Sequence, residues 1–295
     1  MALTPEQREK RRNCIGSSDV YDVIAGNAYK VWAEKTGKLD EEAETDVMIR
    51  GRLLEPAIIT FAAMSLGGII TDPKELEFPL NDLHILDHPD GIADRTGYPV
   101  DAKSQGAYAK EVWGDEHSDQ VPDRVIVQAH VHMMAMGKDF CHVPAYLAYR
   151  EFQMFGVPFS KRVESIVAEN CQHFWMEHVK KDIPPEDNPP TLEVLKRIRR
   201  EPDTVVAIPQ ETVDMWLLSV EERKESEKIE EKYKAQLLGL IGTSEAGRTP
   251  SGLLVTYYEQ RTGGLLTKDL TRDHPDIAAR YANPGTHRVL RVKKG

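Results

Sequence analysis

Residues 88–105 read HPDGIADRTGYPVDAKSQ and set Asp90, Asp101 and Lys103 on either side of a turn at Arg95, Thr96 and Gly97. Residues two apart in a strand share a face, so Asp101 and Lys103 are expected to project together while Ala102 points into the core. The turn brings the preceding segment back alongside and sets Asp90 near Asp101. Two converging carboxylates repel one another and need a cation. Magnesium suits the arrangement, because it is hard, prefers oxygen ligands and keeps several waters when one or two carboxylates hold it. Beside such a metal, Lys103 would orient a water nucleophile, or accept its proton where the site depresses the lysine pKa. A phosphodiester held there would meet a Lewis acid and an activated water in line, which is metal-assisted hydrolysis.

An acid-x-Lys tripeptide recurs by chance in a chain with 29% charged residues, where a solvated salt bridge is its usual meaning. The order of several polar positions is a stronger signal: Glu55 in a helix, then Asp90-Gly91, then Asp101-x-Lys103 on a strand, then Gln128 on the next helix. Asp87 and Asp94 flank Asp90, and either would replace it as a ligand if the strand register differed by a few residues. His130 and His132 lie two apart on a helix and so face different sides, which disfavours a shared ion. Packing and surface roles are the reading for them, as for Cys141-His142, Cys171 and His173, and no zinc is assigned.

The elements that must carry these residues follow from apolar spacing. Ser17, Ser18 and Asp19 have helix-start chemistry, with Val20, Val23 and Ile24 at helical spacing behind them. A second helix carries Val31, Trp32 and Ala33. From Val47 to Leu66, Leu53, Leu54, Ile58, Ile59, Phe61 and Ala62 predict a buried helix, with a kink or a fresh start at Pro56. Residues 69–100 shorten into strand-like pieces of a meander. Helical order resumes from Arg124 to Met136, Ala145 to Tyr149 reads as a strand, and a helix over Lys161–Lys180 buries Ile166, Val167, Phe174 and Trp175. The stretch DIPPEDNPP at 182–190 holds four prolines and is the best domain boundary. Beyond it come a long charged helix over Glu211–Leu240 and short strands at Leu253–Tyr258 and Arg288–Val292. The division predicted is a core over 1–185, a Pro-rich linker over 186–204 and an extension over 205–295.

At 295 residues the chain is long enough for a sizeable core. It holds no run near the roughly 18 consecutive apolar residues of a membrane span, and its charged start is unlike a signal peptide, which predicts a cytoplasmic location. Cys14, Cys141 and Cys171 are too few and too scattered for a disulfide framework or an iron-sulfur cluster. A net charge of −10 argues against coating DNA by surface electrostatics, yet a metal site requires carboxylates, and the clusters at Arg8–Arg12 and Lys196–Arg200 would line a local basic channel. The competing reading of each cluster is a solvated helix face.

The helix, three strands and helix, with acids at those positions, resemble the PD-(D/E)XK nuclease layout. More specifically, IGSSDV, WAEKTG, GRLLEP, HPDGIAD, VDAKSQ, QAHVHMMAMG and HFWMEHV follow one another as in the lambda-type exonucleases, the YqaJ viral recombinase family, across about residues 11–185. The resemblance implies an α/β restriction-endonuclease-like core with a central mixed sheet flanked by helices, plus a C-terminal helix and small β extension. It implies that Asp90 and Asp101 ligate Mg2+ or Mn2+ with the Ala102 carbonyl as a third ligand. Lys103 would activate water, Glu55 would support the metal or its waters, and Gln128 would orient the lysine or a water. Arg11 and Ser18 fall where family members hold the 5'-phosphate of the digested end, and His88 stands where some carry a serine contact.

The activity so implied is 5'-to-3' exonuclease digestion of linear double-stranded DNA. The single strands it leaves would serve phage-type homologous recombination through an annealing protein, in a bacterial host cell carrying the phage or prophage. Processive family members form trimeric rings, so a homo-oligomer is a further expectation. Two other readings stand beside this one: a structure-specific endonuclease on the same fold, and a catalytically silent DNA-binding module.

Overall fold

Helix-start chemistry at Ser17, Ser18 and Asp19 produces a 3-10 turn that leads directly into α1 (Val20–Ile24). The computed structural model describes residues 10, 12–39, 44–73, 76–106, 113–186, 190–199, 204–259, 267–281, 290 and 292. The chain divides into two units after residue 200. In the first, β1 (Ile15–Gly16) precedes the turn, and α2 (Ala28–Lys35) follows α1. The IGSSDV and WAEKTG segments meet here: Lys35 Nζ donates to Asp19 Oδ2 at 2.9 Å, and Trp32 enters the core with Ile15 and Val20.

Thr45 accepts the Met48 N–H and caps α3 (Asp46–Leu66), whose C-terminus closes on Gly67 in the left-handed conformation. The interruption expected at Pro56 is absent, and one helix of 21 residues runs through it. Pro56 lies on the exposed side and forfeits one helical hydrogen bond, the one to the Arg52 carbonyl. Nor is this helix buried all round. Ile58 and Ala62 are covered, while Val47, Met48 and Leu53 stay exposed.

The expected meander is a set of short strands: β2 (Ile70–Thr71), β3 (Phe78–Leu80), β4 (Ile85–Asp87), β5 (Gly91–Ala93), β6 (Tyr98–Val100) and β7 (Lys103–Gln105). Then come α4 (Asp123–Met136), β8 (Phe140–Leu147), β9 (Glu151–Pro158) and α5 (Lys161–His173), which continues as a π-helical stretch over Phe174–Val179. β1, β4 and β3 form a three-stranded sheet. β2, β5, β6, β8 and β7 form the main mixed sheet, with β9 added on β8.

Helices cover both faces of the main sheet. On one side Val125, Ala129 and Met133 of α4 pack on Cys141, Val143, Ala145 and Leu147, the alternate residues of β8. On the other, Ala62 of α3 packs with Ala93, Val100 and Met154. A third cluster joins Ile15, Val20, Trp32 and Ile85 to Val167, Phe174 and Trp175, whereas Ile166, expected inside, is 37% exposed. The 186–204 stretch is not simply a linker. It holds α6 (Leu192–Arg197), which buries Val194 in this same cluster, and Leu39 bridges to Ile198.

β6 and β7 lie along the same edge of β8 in one continuous parallel register, Val100 opposite His142 and Lys103 opposite Ala145. Between them the ladder stops for Asp101 and Ala102. The Asp101 N–H still donates to the His142 carbonyl at 2.9 Å, but the β8 residue that would return a bond to the Asp101 carbonyl is Pro144, which has no N–H. Asp101 and Lys103 are therefore not two residues of one regular strand. Contrary to the alternation expected there, Asp101 is fully buried and Ala102 is the more exposed of the two.

Gly91 is required by close approach: a Cβ there would overlap the Ile70 side chain across the β2–β5 pair. Gly91→Ala is expected to destabilise the fold by about 1–3 kcal/mol, as overpacking does. Chemical denaturation checks it, as a lower midpoint at unchanged slope.

The second unit holds α7 (Gln210–Ile241), the antiparallel hairpin β10 (Ala246–Arg248) and β11 (Leu254–Thr256), and the short helices α8 (Thr267–Asp273) and α9 (Pro275–Tyr281). Ile241 at the end of α7 is buried. The strand expected at Arg288–Val292 lies outside the described residues except for Leu290 and Val292.

Candidate active site

The β5–β6 hairpin sets the first two acids. Gly91 pairs with Val100, so Asp90 and Asp101 continue the register opposite one another. The connecting turn closes with Gly97 in the left-handed region, its N–H donating to the Ala93 carbonyl at 2.7 Å. Asp90 Oδ2 accepts the Ala102 N–H at 2.8 Å, a bond that locks the two segments together. Asp94 sits at the other end of the hairpin and accepts from Thr71 at 2.6 Å. The register thus selects Asp90 over Asp94.

Lys103 Nζ donates to Asp101 Oδ1 and, at 3.1 Å, to Gln128 Oε1 from α4. Glu55 lies on the exposed side of α3, where its charge still bears on Asp90. Five expected positions therefore form one electrostatic neighbourhood drawn from α3, the hairpin, β7 and α4. Ser18 and His88 are both exposed, while Arg11 lies outside the described residues.

The two carboxylates are unequal. Burial, and after it the Asp101 charge, raises the Asp90 carboxyl from 3.8 to about 6. Burial opposes ionisation of Asp101 as well, but Lys103 and His132 outweigh it and hold that carboxyl below the usual range. Lys103 behaves contrary to the option of a depressed lysine. Burial works against its charge, yet Asp101 and Asp90 hold its pKa above the ordinary value, so it is an ammonium that orients rather than a base that accepts.

His132 completes the site from below. Its Nδ1 is 2.7 and 2.9 Å from the two Asp87 oxygens, and its Nε2 is 3.6 Å from Asp101 Oδ1. All three side chains are fully buried. Against the penalty of burial, Asp87 and Asp101 push the imidazole up to about 10. The packing role assigned to His132 thus misses a charged contact with the site, and Asp87 is its partner and no substitute for Asp90. The signal was present, because His132 is one helical turn beyond Gln128 and shares its face. His130 is different: Nδ1 meets the Ile126 carbonyl at 2.7 Å and Nε2 accepts the Ser160 N–H at 2.9 Å, a neutral packing histidine.

Asp101 Oδ2 is buried without a hydrogen-bond partner, beside a second carboxylate that it discourages from ionising. A divalent cation would answer both features. Among the described residues no three His, Cys, Asp or Glu side chains gather as a complete cage. Magnesium needs none, since one or two carboxylates and waters hold it. Asp90 and Asp101 are the residues that fit.

Residues 7–139 match the family model of the YqaJ-like viral recombinase domain. The similarity to that domain covers a little under half of the chain. The matched segment spans every site residue named above, from Arg11 through Asp101 and Lys103 to His132, and ends just before β8. No curated protein matches the chain. Among solved structures, the alkaline exonuclease LHK-Exo from Laribacter hongkongensis is 16% identical, with a TM-score of 0.48 over 61% of this chain and 94% of that one. LHK-Exo in complex with dAMP gives 17% at the same score and coverage. A phage-related exonuclease from Haemophilus somnus 129PT is 9% identical, with a TM-score of 0.44 over 57% of this chain and 96% of that one. In this chain the matched segment runs through the strands β2 to β7 of the two sheets and α4, with Asp90 just before β5 and Asp101 just after β6.

Proposed function

We propose that this chain is a DNA-hydrolysing enzyme of the lambda-exonuclease type, which digests linear duplex DNA from its ends in the 5'-to-3' direction with Mg2+ or Mn2+. The observation that carries the reading is the pair Asp90 and Asp101, one with an orphaned buried oxygen and the other with a raised pKa, beside an ammonium fixed by Gln128. A cation held by these carboxylates would supply Lewis acidity at the scissile phosphate. The chain's own residues do the rest. Lys103 donates to the water or to a phosphate oxygen, Gln128 holds Lys103 on line, and Glu55 adds acceptor charge at the rim. The net charge of −10 accords with a site that takes up DNA only where cations bridge it.

Ser18, exposed on the turn after β1, and His88, exposed two residues before Asp90, supply donors for the 5'-phosphate in this proposal, with Arg11 as the cation. The setting proposed is phage or prophage recombination in the bacterial cytoplasm, with a strand-annealing protein as partner and a trimeric ring as the processive form. No helix of the described residues is long and apolar enough to cross a membrane.

The test is digestion of linear duplex labelled at one 3' end, with 5'-phosphate and 5'-hydroxyl versions, in Mg2+ and in EDTA, beside closed circular DNA. The expected result is metal-dependent loss of the linear DNA, faster with the 5'-phosphate, and an intact circle. Cutting of the circle would transfer the assignment to an endonuclease. Intact substrates in both metals would leave a binding module.

A further inference from the structure

We propose that Asp87 and His132 form a positioning pair that fixes the Asp101 carboxylate for cation binding, an inference that rests on the metal-dependent reading above. Three elements meet in it. Asp87 ends β4 in the three-stranded sheet, His132 comes from α4, and Asp101 stands at the break between β6 and β7 in the main sheet. The imidazole spans the gap between the two sheets, with Nδ1 held by both Asp87 oxygens at 2.7 and 2.9 Å and Nε2 at 3.6 Å from Asp101 Oδ1.

The geometry at Asp101 is one-sided. Oδ1 faces both Lys103 Nζ and His132 Nε2, whereas Oδ2 has no partner. Two cationic neighbours on one oxygen set the rotation of the carboxylate and leave the other oxygen as the one available to a ligand. Stability alone does not account for the arrangement. An aspartate and a histidine with no solvent exposure are costly to bury, and a well-packed apolar pair serves a core at least as well. Partners of this kind orient the groups that touch a metal, and losing them lowers metal affinity by about 10-fold to 100-fold.

The experiment is calorimetric titration of Mg2+ and Mn2+ into the full chain and into His132→Ala, His132→Gln and Asp87→Asn, each first shown to be folded by circular dichroism. Asp87→Asn keeps the shape of the aspartate, so it tests the proposal even where His132→Ala does not fold. The amide of His132→Gln can still reach Asp101. Expected are losses of affinity of about 10-fold or more in His132→Ala and Asp87→Asn, with much of it recovered in His132→Gln. A second readout uses the unaltered protein with 15N-labelled histidine: the His132 Nε2 resonance should move with Mg2+ at the affinity seen by calorimetry, while that of His130 stays. Unchanged affinity in the folded variants with a still His132 resonance overturns the pair as a positioning device. Absence of any cation binding by the unaltered chain instead overturns the metal-dependent reading on which it rests.

Discussion

Lys103→Ala lowers the rate of duplex hydrolysis by about 10²–10³-fold, the range for losing one preorganised hydrogen-bond donor, and leaves the protein folded. The loss falls on kcat, since Lys103 donates within the site and its partners Asp101 and Gln128 remain to be re-solvated. Its side chain is about one-fifth exposed, so water can replace the ammonium at both acceptors without opening the core. Steady-state kinetics on end-labelled linear duplex, with circular dichroism of the same preparation, checks both halves. A variant that kept its kcat would remove Lys103 from the chemistry.

Asp90→Asn is expected to abolish cleavage and, in EDTA at neutral pH, to make the protein more stable by about 2–3 kcal/mol. The sign follows from the folded carboxyl, raised from 3.8 to about 6 by burial and by Asp101. A group whose pKa is raised on folding favours the fold fully below its unfolded value and loses that contribution as pH rises through about 6. Metal-free protein should therefore lose stability between about pH 4 and 6 through this residue, and the asparagine, which can still accept the Ala102 N–H, should not. Denaturant melts of both proteins across pH 4–8 in EDTA measure the difference, and curves that stay parallel would count against it. Asp101 has the opposite sign, because Lys103 and His132 hold its carboxyl below the usual range, so its charge supports the fold above that range and fails it as pH falls.

Much of this site could be read before any coordinates. The hairpin register that opposes Asp90 to Asp101 follows from a turn ending in glycine between two short apolar pieces, and Lys103 and Gln128 come with the order of motifs. Sequence reasoning did less well where a contact joins distant segments. The bond from Asp87 to His132 links residues 45 apart, between elements with no local reason to meet, although the four-residue step from Gln128 marks His132 as facing the site. Pro56 misled because proline's cost depends on which carbonyl loses its donor, and here that carbonyl is on an exposed side. The Pro-rich stretch read as a linker contains a short helix anchored by a single buried side chain, Val194, too brief for periodicity to announce.

The proline in β8 gives the central sheet a compliant spot. A strand bonded along its length resists small shifts, since moving one peptide strains every bond beside it. At the Asp101–Ala102 peptide one bond to β8 is missing on account of Pro144, while the Asp101 N–H and the segments before and after remain anchored to β8. On its other side that peptide is tied through the Ala102 N–H to Asp90, so a change of charge between Asp90 and Asp101 acts on it directly while the frame around it stays stiff.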